Sequence, residues 1–298
     1  MSSFQQAYQR FISGTGFEKQ NLWFKRLLYA FLIYKCIHWN YFFDFLLAED
    51  TYLFHDYSSI GPFKDLAFLL LKYPISGLSR IVLVGVLVIA VYRLFFQSPI
   101  VLAYICDLLL WFMVLNLNNK MYAGLSGGNL LLNQLLLFNV FISKHGITGA
   151  GFLPDLRRLL QSFAILAIRL QLMLLYLVSA VCKLHYSEWL QGSAIASTLQ
   201  IEHFSLVGSL GQGYVSGLLM VLINYLILFY QLLFPVLIWF KALARYFLMF
   251  GIAMHVFIGL YMGLPDFAMI MLLAYFYVWP KKSQVAPLPD LQNKGLNL

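Results

Sequence analysis

Residues 159–182 read Leu159-Leu160-Gln161-Ser162-Phe163-Ala164-Ile165-Leu166-Ala167-Ile168-Arg169-Leu170-Gln171-Leu172-Met173-Leu174-Leu175-Tyr176-Leu177-Val178-Ser179-Ala180-Val181-Cys182, and Arg169 is their single charge. About 20 such residues in a helix cross the hydrocarbon core of a bilayer, so the stretch predicts a transmembrane helix. Arg157 and Arg158 stand before it and Lys183 after it. Working outward, comparable apolar runs place spans near 22–46, 78–97, 99–117, 124–143, 159–182, 213–240, 243–261 and 265–280. The expected fold is an all-α polytopic membrane protein of about eight transmembrane helices, within seven to nine.

Composition agrees. The chain of 298 residues is 61% hydrophobic and 11% charged, whereas soluble domains carry about 25% charge and about 45–50% apolar residues. A soluble protein of this size exposes too much surface to hide so many apolar groups, and the same figures exclude disorder. The net charge of +8 comes from basic residues scattered between apolar runs, which does not make a nucleic-acid surface. Cys36, Cys106 and Cys182 follow no metal or disulfide spacing and are expected to be buried thiols. The first apolar run lacks a cleavage site and is expected to stay as a span.

Loop charges orient the bundle. With both termini in the cytoplasm, thirteen basic residues lie inside, among them Lys25, Arg93, Lys144, Arg157 and Arg158, against five outside, namely Lys64, Lys72, Arg80, Lys120 and Lys183. Excess Lys and Arg on the inner side is the usual bias. The organisation is then a cytoplasmic tail 1–20, a transmembrane domain 21–280 and a cytoplasmic tail 281–298, loosely ordered from Pro280. Segments 48–77, with a short helix at 63–71, and 184–212 are outer pieces that lie in the interface or dip back into the bundle. No internal repeat supports an alternating-access carrier.

Charges at membrane depth face a partner, a bundle interior or a cavity. Lys35 and Asp107 are expected to pair. Arg169 and Lys183 are 14 residues apart, about 21 Å along a helix and about 40° apart around it, so one face presents both. Lys183 is either an ordinary interface lysine or, among apolar neighbours, a desolvated amine available as a base or nucleophile. Asn116, Asn118, Asn119 and Lys120 precede a glycine-rich turn, and Asn133, Gln134 and Asn139 extend polarity into the next helix; they serve either interhelical hydrogen bonds or a cavity for a ligand headgroup. His255 lies mid-span, either bonded to a neighbouring helix or in a cavity. Asn224 and Gln231 are seven apart on one face, as packing or a cavity wall. His185, His203, Glu188 and Glu202 form no compact metal motif, and no nucleotide fingerprint is present.

Arg169-Leu170-Gln171, followed by Tyr176-Leu177-Val178-Ser179-Ala180-Val181-Cys182-Lys183-Leu184-His185-Tyr186-Ser187-Glu188-Trp189-Leu190-Gln191-Gly192, resembles the vitamin K-dependent gamma-carboxylase-like membrane family, in particular its bacterial HTTM-domain branch. Asn118-Asn119-Lys120-Met121-Tyr122, Ser126-Gly127-Gly128-Asn129, Phe234-Pro235, His255 and Phe267 extend the resemblance over residues 20–280. In the carboxylase a lysine at the place of Lys183 deprotonates a hydroquinone, whose oxygenation yields the base that acts on peptide glutamate. The resemblance therefore implies Lys183 and His255 as catalytic residues, with Asn119, Lys120, Asn133, Arg169, Gln171 and Trp189 around a quinone or other lipid. Lys120 stands where the carboxylase has a histidine assigned to the carboxylation half, and a large soluble domain is not expected, so literal glutamate carboxylation is not expected either. Some bacterial relatives help mature secreted peptides beside small partner proteins.

The resemblance thus points first to a component of a bacterial inner-membrane complex that processes, assembles or exports a secreted peptide, with a protein partner. An enzyme acting on a quinone, lipid or peptide at the non-cytoplasmic face is the alternative, and a channel or carrier the third.

Overall fold

A computed structural model describes residues 17–48, 77–121, 125–144, 147–149, 151–200 and 217–279. The expected helix at 63–71, the start of the sixth span, His203 with Glu202, residues 1–16 of the N-terminal tail and the whole C-terminal tail lie outside the described residues.

The elements run α1 (Glu18–Tyr41), α2 (Phe43–Leu46), α3 (Leu78–Phe95), α4 (Ile100–Lys120), α5 (Gly127–Phe141), α6 (Phe152–Lys183), α7 (Ser187–Leu190), α8 (Ala194–Leu199), α9 (Gly217–Leu237), α10 (Lys241–Tyr261) and α11 (Pro265–Ala274), closed by a 3-10 turn at Tyr275–Tyr277. The described residues contain no strand. Five helices, α3, α4, α6, α9 and the Ala242–Tyr261 part of α10, are long and apolar enough to cross a membrane.

Three of the eight expected spans depart from that standard for visible reasons. Helix α1 is long, but Lys25 and Lys35 sit within it. Helix α5 is only 15 residues, about 22 Å, because Ser126 caps its start and Ile142 turns extended at its end. Its N-cap is a serine oxygen accepting from Asn129 N–H at 3.4 Å. Helix α11 has 10 residues before its backbone tightens into the 3-10 turn.

Sequential helices pack against one another, and α11 closes the arrangement by touching α1, α5 and α10. The closure is antiparallel: Asp266 at the start of α11 meets Lys35 late in α1, while Tyr277 Oη donates to Asn21 Oδ1 at 3.1 Å near the start of α1. Inward faces carry the core residues Leu28, Leu32, Leu110, Leu135, Leu172 and Phe234. Outward faces are apolar too. Ile81, Val88, Val101, Leu174, Leu218 and Phe229 are all more than half exposed, a contiguous surface of the kind that belongs in lipid.

Lys35 does not pair with Asp107. It pairs with Asp266 at 2.5 Å and lies over the Trp39 ring. Asp107 sits one to two turns into α4, level with the start of α1, and there meets Lys25 at 2.9 Å and Arg93 at 3.0 Å. Lys25 and Lys35 are ten residues apart on one helix, about 15 Å, so one carboxylate cannot serve both. Cys36 and Cys106 are buried as expected, but Cys182 is exposed; one step along a helix turns a side chain by about 100°, away from the Lys183 face.

Candidate functional site

Tyr176, Ser179 and Lys183 form one stripe along the last two turns of α6, because their spacings of three and four match the helical repeat. The Lys183 Nζ donates to Ser179 Oγ at 2.7 Å, and across the interface to Gln231 Oε1 of α9 at 2.9 Å. It also stands over the Trp189 ring, 4.9 Å from its centre, a cation–π distance.

Trp189 is held there by a strap. After α6 the chain turns into α7, whose carbonyls at Trp189 and Leu190 accept from Asn224 Nδ2 at 2.9 Å and Tyr225 Oη at 2.6 Å. Gly192 follows with φ +79°, and a Cβ there would meet Val221 Cγ1 at 2.9 Å. Glycine serves both the left-handed backbone and the close approach to α9. Helix α8 then covers the space between.

Beneath the strap is a cavity of about 220 Å³. Lys183, Trp189, Gln231, His255, Tyr176 and Phe267 line it, and the rest of its wall is nearly all aliphatic or thioether. No carboxylate is among the described lining residues. A charged amine here has no counter-ion among them, so a negative charge that a ligand brings or develops complements it.

The floor is a buried hydrogen-bonded chain. His255, 1% exposed, meets Tyr176 Oη through Nε2 at 2.6 Å. Tyr176 Oη bonds Tyr275 Oη, which in turn bonds Tyr230 Oη at 2.9 Å. Gly251 makes this possible, since a Cβ on it would fall on the Tyr230 and Tyr275 hydroxyls. The other ring nitrogen, His255 Nδ1, is buried and has no hydrogen-bond partner among the described residues.

Of the residues singled out by sequence, Lys183, His255, Trp189, Gln231 and Phe267 share this cavity. Asn119, Lys120, Asn133, Arg169 and Gln171 are not among its lining residues. Asn133 Oδ1 accepts from Asn118 Nδ2 at 2.8 Å between α4 and α5, an interhelical bond. Lys120 donates to Ser79 Oγ at 2.7 Å, and Asn119 lies half-buried beside it. Arg169 Nε donates to the Tyr277 carbonyl at 2.6 Å, tying α6 to the 3-10 turn. Gln171 is half-buried on α6 away from the cavity wall. Sequence reasoning left Ser179, Tyr176 and Tyr275 unassigned, although the Tyr176-Ser179-Lys183 stripe was readable from helical spacing.

Compared with protein-family models, curated proteins and solved structures, the chain matches none.

Proposed function

We propose that the chain is a membrane enzyme that takes a flat, lipid-soluble aromatic O–H acid of the hydroquinone type into the Lys183 cavity. The observation carrying this reading is the Lys183 amine, held by Ser179 and Gln231 in a largely apolar chamber with no carboxylate among its described lining residues. Lys183, in its neutral form, removes the hydroxyl proton: the substrate O–H bond breaks, an N–H bond forms, and the resulting oxyanion stands beside the new ammonium. Ser179 and Gln231 hold that ammonium by accepting its other hydrogens, and Trp189 covers it with its ring face. The His255–Tyr176–Tyr275 chain holds the floor of the cavity in place. This is the hydroquinone half of the chemistry implied by the resemblance to the gamma-carboxylase-like, HTTM-type membrane family.

The wider placement belongs to the same reading. All eight long and short bundle helices cross or line the membrane, with both termini cytoplasmic and the cavity at the non-cytoplasmic face of a bacterial inner membrane. Support comes from Lys25, Arg93, Lys144 and Arg157, which gather at the end of the bundle opposite Lys183, as the inner-side excess of basic residues requires.

The test is equilibrium binding of menadiol, a soluble naphthohydroquinone, to nanodisc-embedded protein under anaerobic conditions. Saturable binding that weakens about tenfold or more in Lys183→Met is expected, since a charge-assisted bond is lost. Equal binding by the variant sinks the reading. Full cellular function of Lys183→Met together with a stoichiometric co-purifying protein favours the role in a peptide-processing complex instead.

A further inference from the structure

At the opposite end of α6 lies a second recess, unrelated to the Lys183 chamber. It has a volume of about 110 Å³ and is bounded by the starts of α1, α4 and α6 and the ends of α3 and α5. Among the described residues four cations line it, Lys25, Arg93, Lys144 and Arg157, against one carboxylate, Asp107.

The inner part is a buried cluster with an unbalanced charge. Lys25, Arg93 and Asp107 are 1%, 3% and 2% exposed. Asp107 accepts from Lys25 at 2.9 Å, from Arg93 through two bonds of 3.0 Å, and from Tyr29 Oη at 2.7 Å. One carboxylate neutralises one of the two cations, and buried charges ordinarily find full compensation.

The rim adds charge and leaves donors to spare. Lys144 Nζ donates to the Arg93 carbonyl at 3.1 Å, and Arg157 Nε to Tyr104 Oη at 3.4 Å. Those bonds take one of the three ammonium hydrogens and one of the five guanidinium hydrogens, leaving donors on each. Burial, then the Arg93 and Arg26 charges, hold the Lys144 amine below the usual lysine range. Gln97 and Ile100 at the mouth are exposed, so the recess opens to the surface.

We propose that this recess binds a phosphate-bearing anion. Spare guanidinium and ammonium donors above an under-compensated Lys25–Arg93–Asp107 cluster match the charge and hydrogen-bonding needs of a phosphate group. The phosphate belongs either to the headgroup of an anionic phospholipid, since the recess sits where helices of a membrane bundle end, or to a free phosphomonoester.

The experiment uses the full chain, purified and placed in phosphatidylcholine nanodiscs. One arm measures binding of phosphatidylglycerol by native mass spectrometry; the other measures thermal stabilisation by glycerol phosphate. The variants are Lys144→Gln, Arg157→Gln and Gln97→Glu, the last adding a carboxylate at the mouth without removing any bond described above. Each is expected to weaken binding roughly fivefold per unit of charge changed. Phosphatidylglycerol binding sensitive to the variants, with no effect of glycerol phosphate, identifies a lipid headgroup. Variant-sensitive stabilisation by glycerol phosphate identifies a free phosphate. Binding of neither probe, or binding of either that all three variants leave unchanged, overturns the proposal.

Discussion

The Gln231 carboxamide oxygen of α9 lies 2.9 Å from the Lys183 amine of α6, so two helices that are 48 residues apart in sequence at these positions jointly fix that nitrogen. Gln231 is a positioning residue in this account. Gln231→Leu keeps the cavity apolar but frees the amine from one of its two acceptors. Turnover of a hydroquinone substrate is expected to fall about tenfold or more, mostly in kcat, while Gln231→Asn, which keeps an acceptor one methylene short, recovers part of it. Equal activity of Gln231→Leu and the parent chain contradicts the assignment.

Gly251 carries a prediction whose sign opposes helix propensity. Alanine in a helix interior is ordinarily favoured over glycine by about 1 kcal/mol. At position 251 the added methyl meets the Tyr230 and Tyr275 hydroxyls, and overpacking costs about 1–3 kcal/mol. Gly251→Ala is therefore expected to unfold at a lower temperature in detergent, and Tyr275→Phe in the same chain to restore part of the loss. A stabilised Gly251→Ala variant rules out the close tyrosine pair.

Two aspartates separate buried from surface pairing. Asp107→Asn leaves Lys25 and Arg93 without a carboxylate, and breaking a buried pair costs about 3–5 kcal/mol. Asp155 pairs with Arg158 at 2.5 Å but is more than half exposed, and such pairs are worth about 0–1 kcal/mol. Denaturation midpoints of Asp107→Asn and Asp155→Asn are expected to differ accordingly; similar losses refute the difference in environment.

Sidedness is checked by labelling. In a chain whose three native cysteines are replaced, Glu188→Cys is expected to react with an impermeant maleimide added to intact cells, and Arg158→Cys only after permeabilisation. The reverse pattern inverts the proposed orientation.

The helical membrane fold was legible because an apolar run of sufficient length has few alternatives, and residues 159–182 show this most clearly. Partners across helices were not. Hydrophobic periodicity fixes which face of a helix turns inward but not its register against a neighbour, so Asp107 was matched to Lys35 when Lys25 and Arg93 were the residues at its depth. Those two also counted as loop charges, since a basic residue near a span end reads the same whether it snorkels or pairs. In the cavity, the Lys183 side was readable as a stripe on one helix, whereas Tyr275 comes from a helix more than 90 residues later and carries no local signal. Asn133 and Lys120 do not line the Lys183 cavity, and sequence alone does not separate them from residues that do, because polar residues in an apolar background suit interhelical bonds as well as a ligand.

The central claim is that Lys183 takes a proton from a bound aromatic hydroxyl. Ultraviolet difference spectra of menadiol, mixed anaerobically with nanodisc-embedded protein at neutral pH, report that step directly, because the naphtholate absorbs at longer wavelength than the naphthol. A naphtholate band that saturates with protein and is lost in Lys183→Met is the expected result. The same band in Lys183→Met, or bound menadiol with no naphtholate in the parent chain, contradicts it.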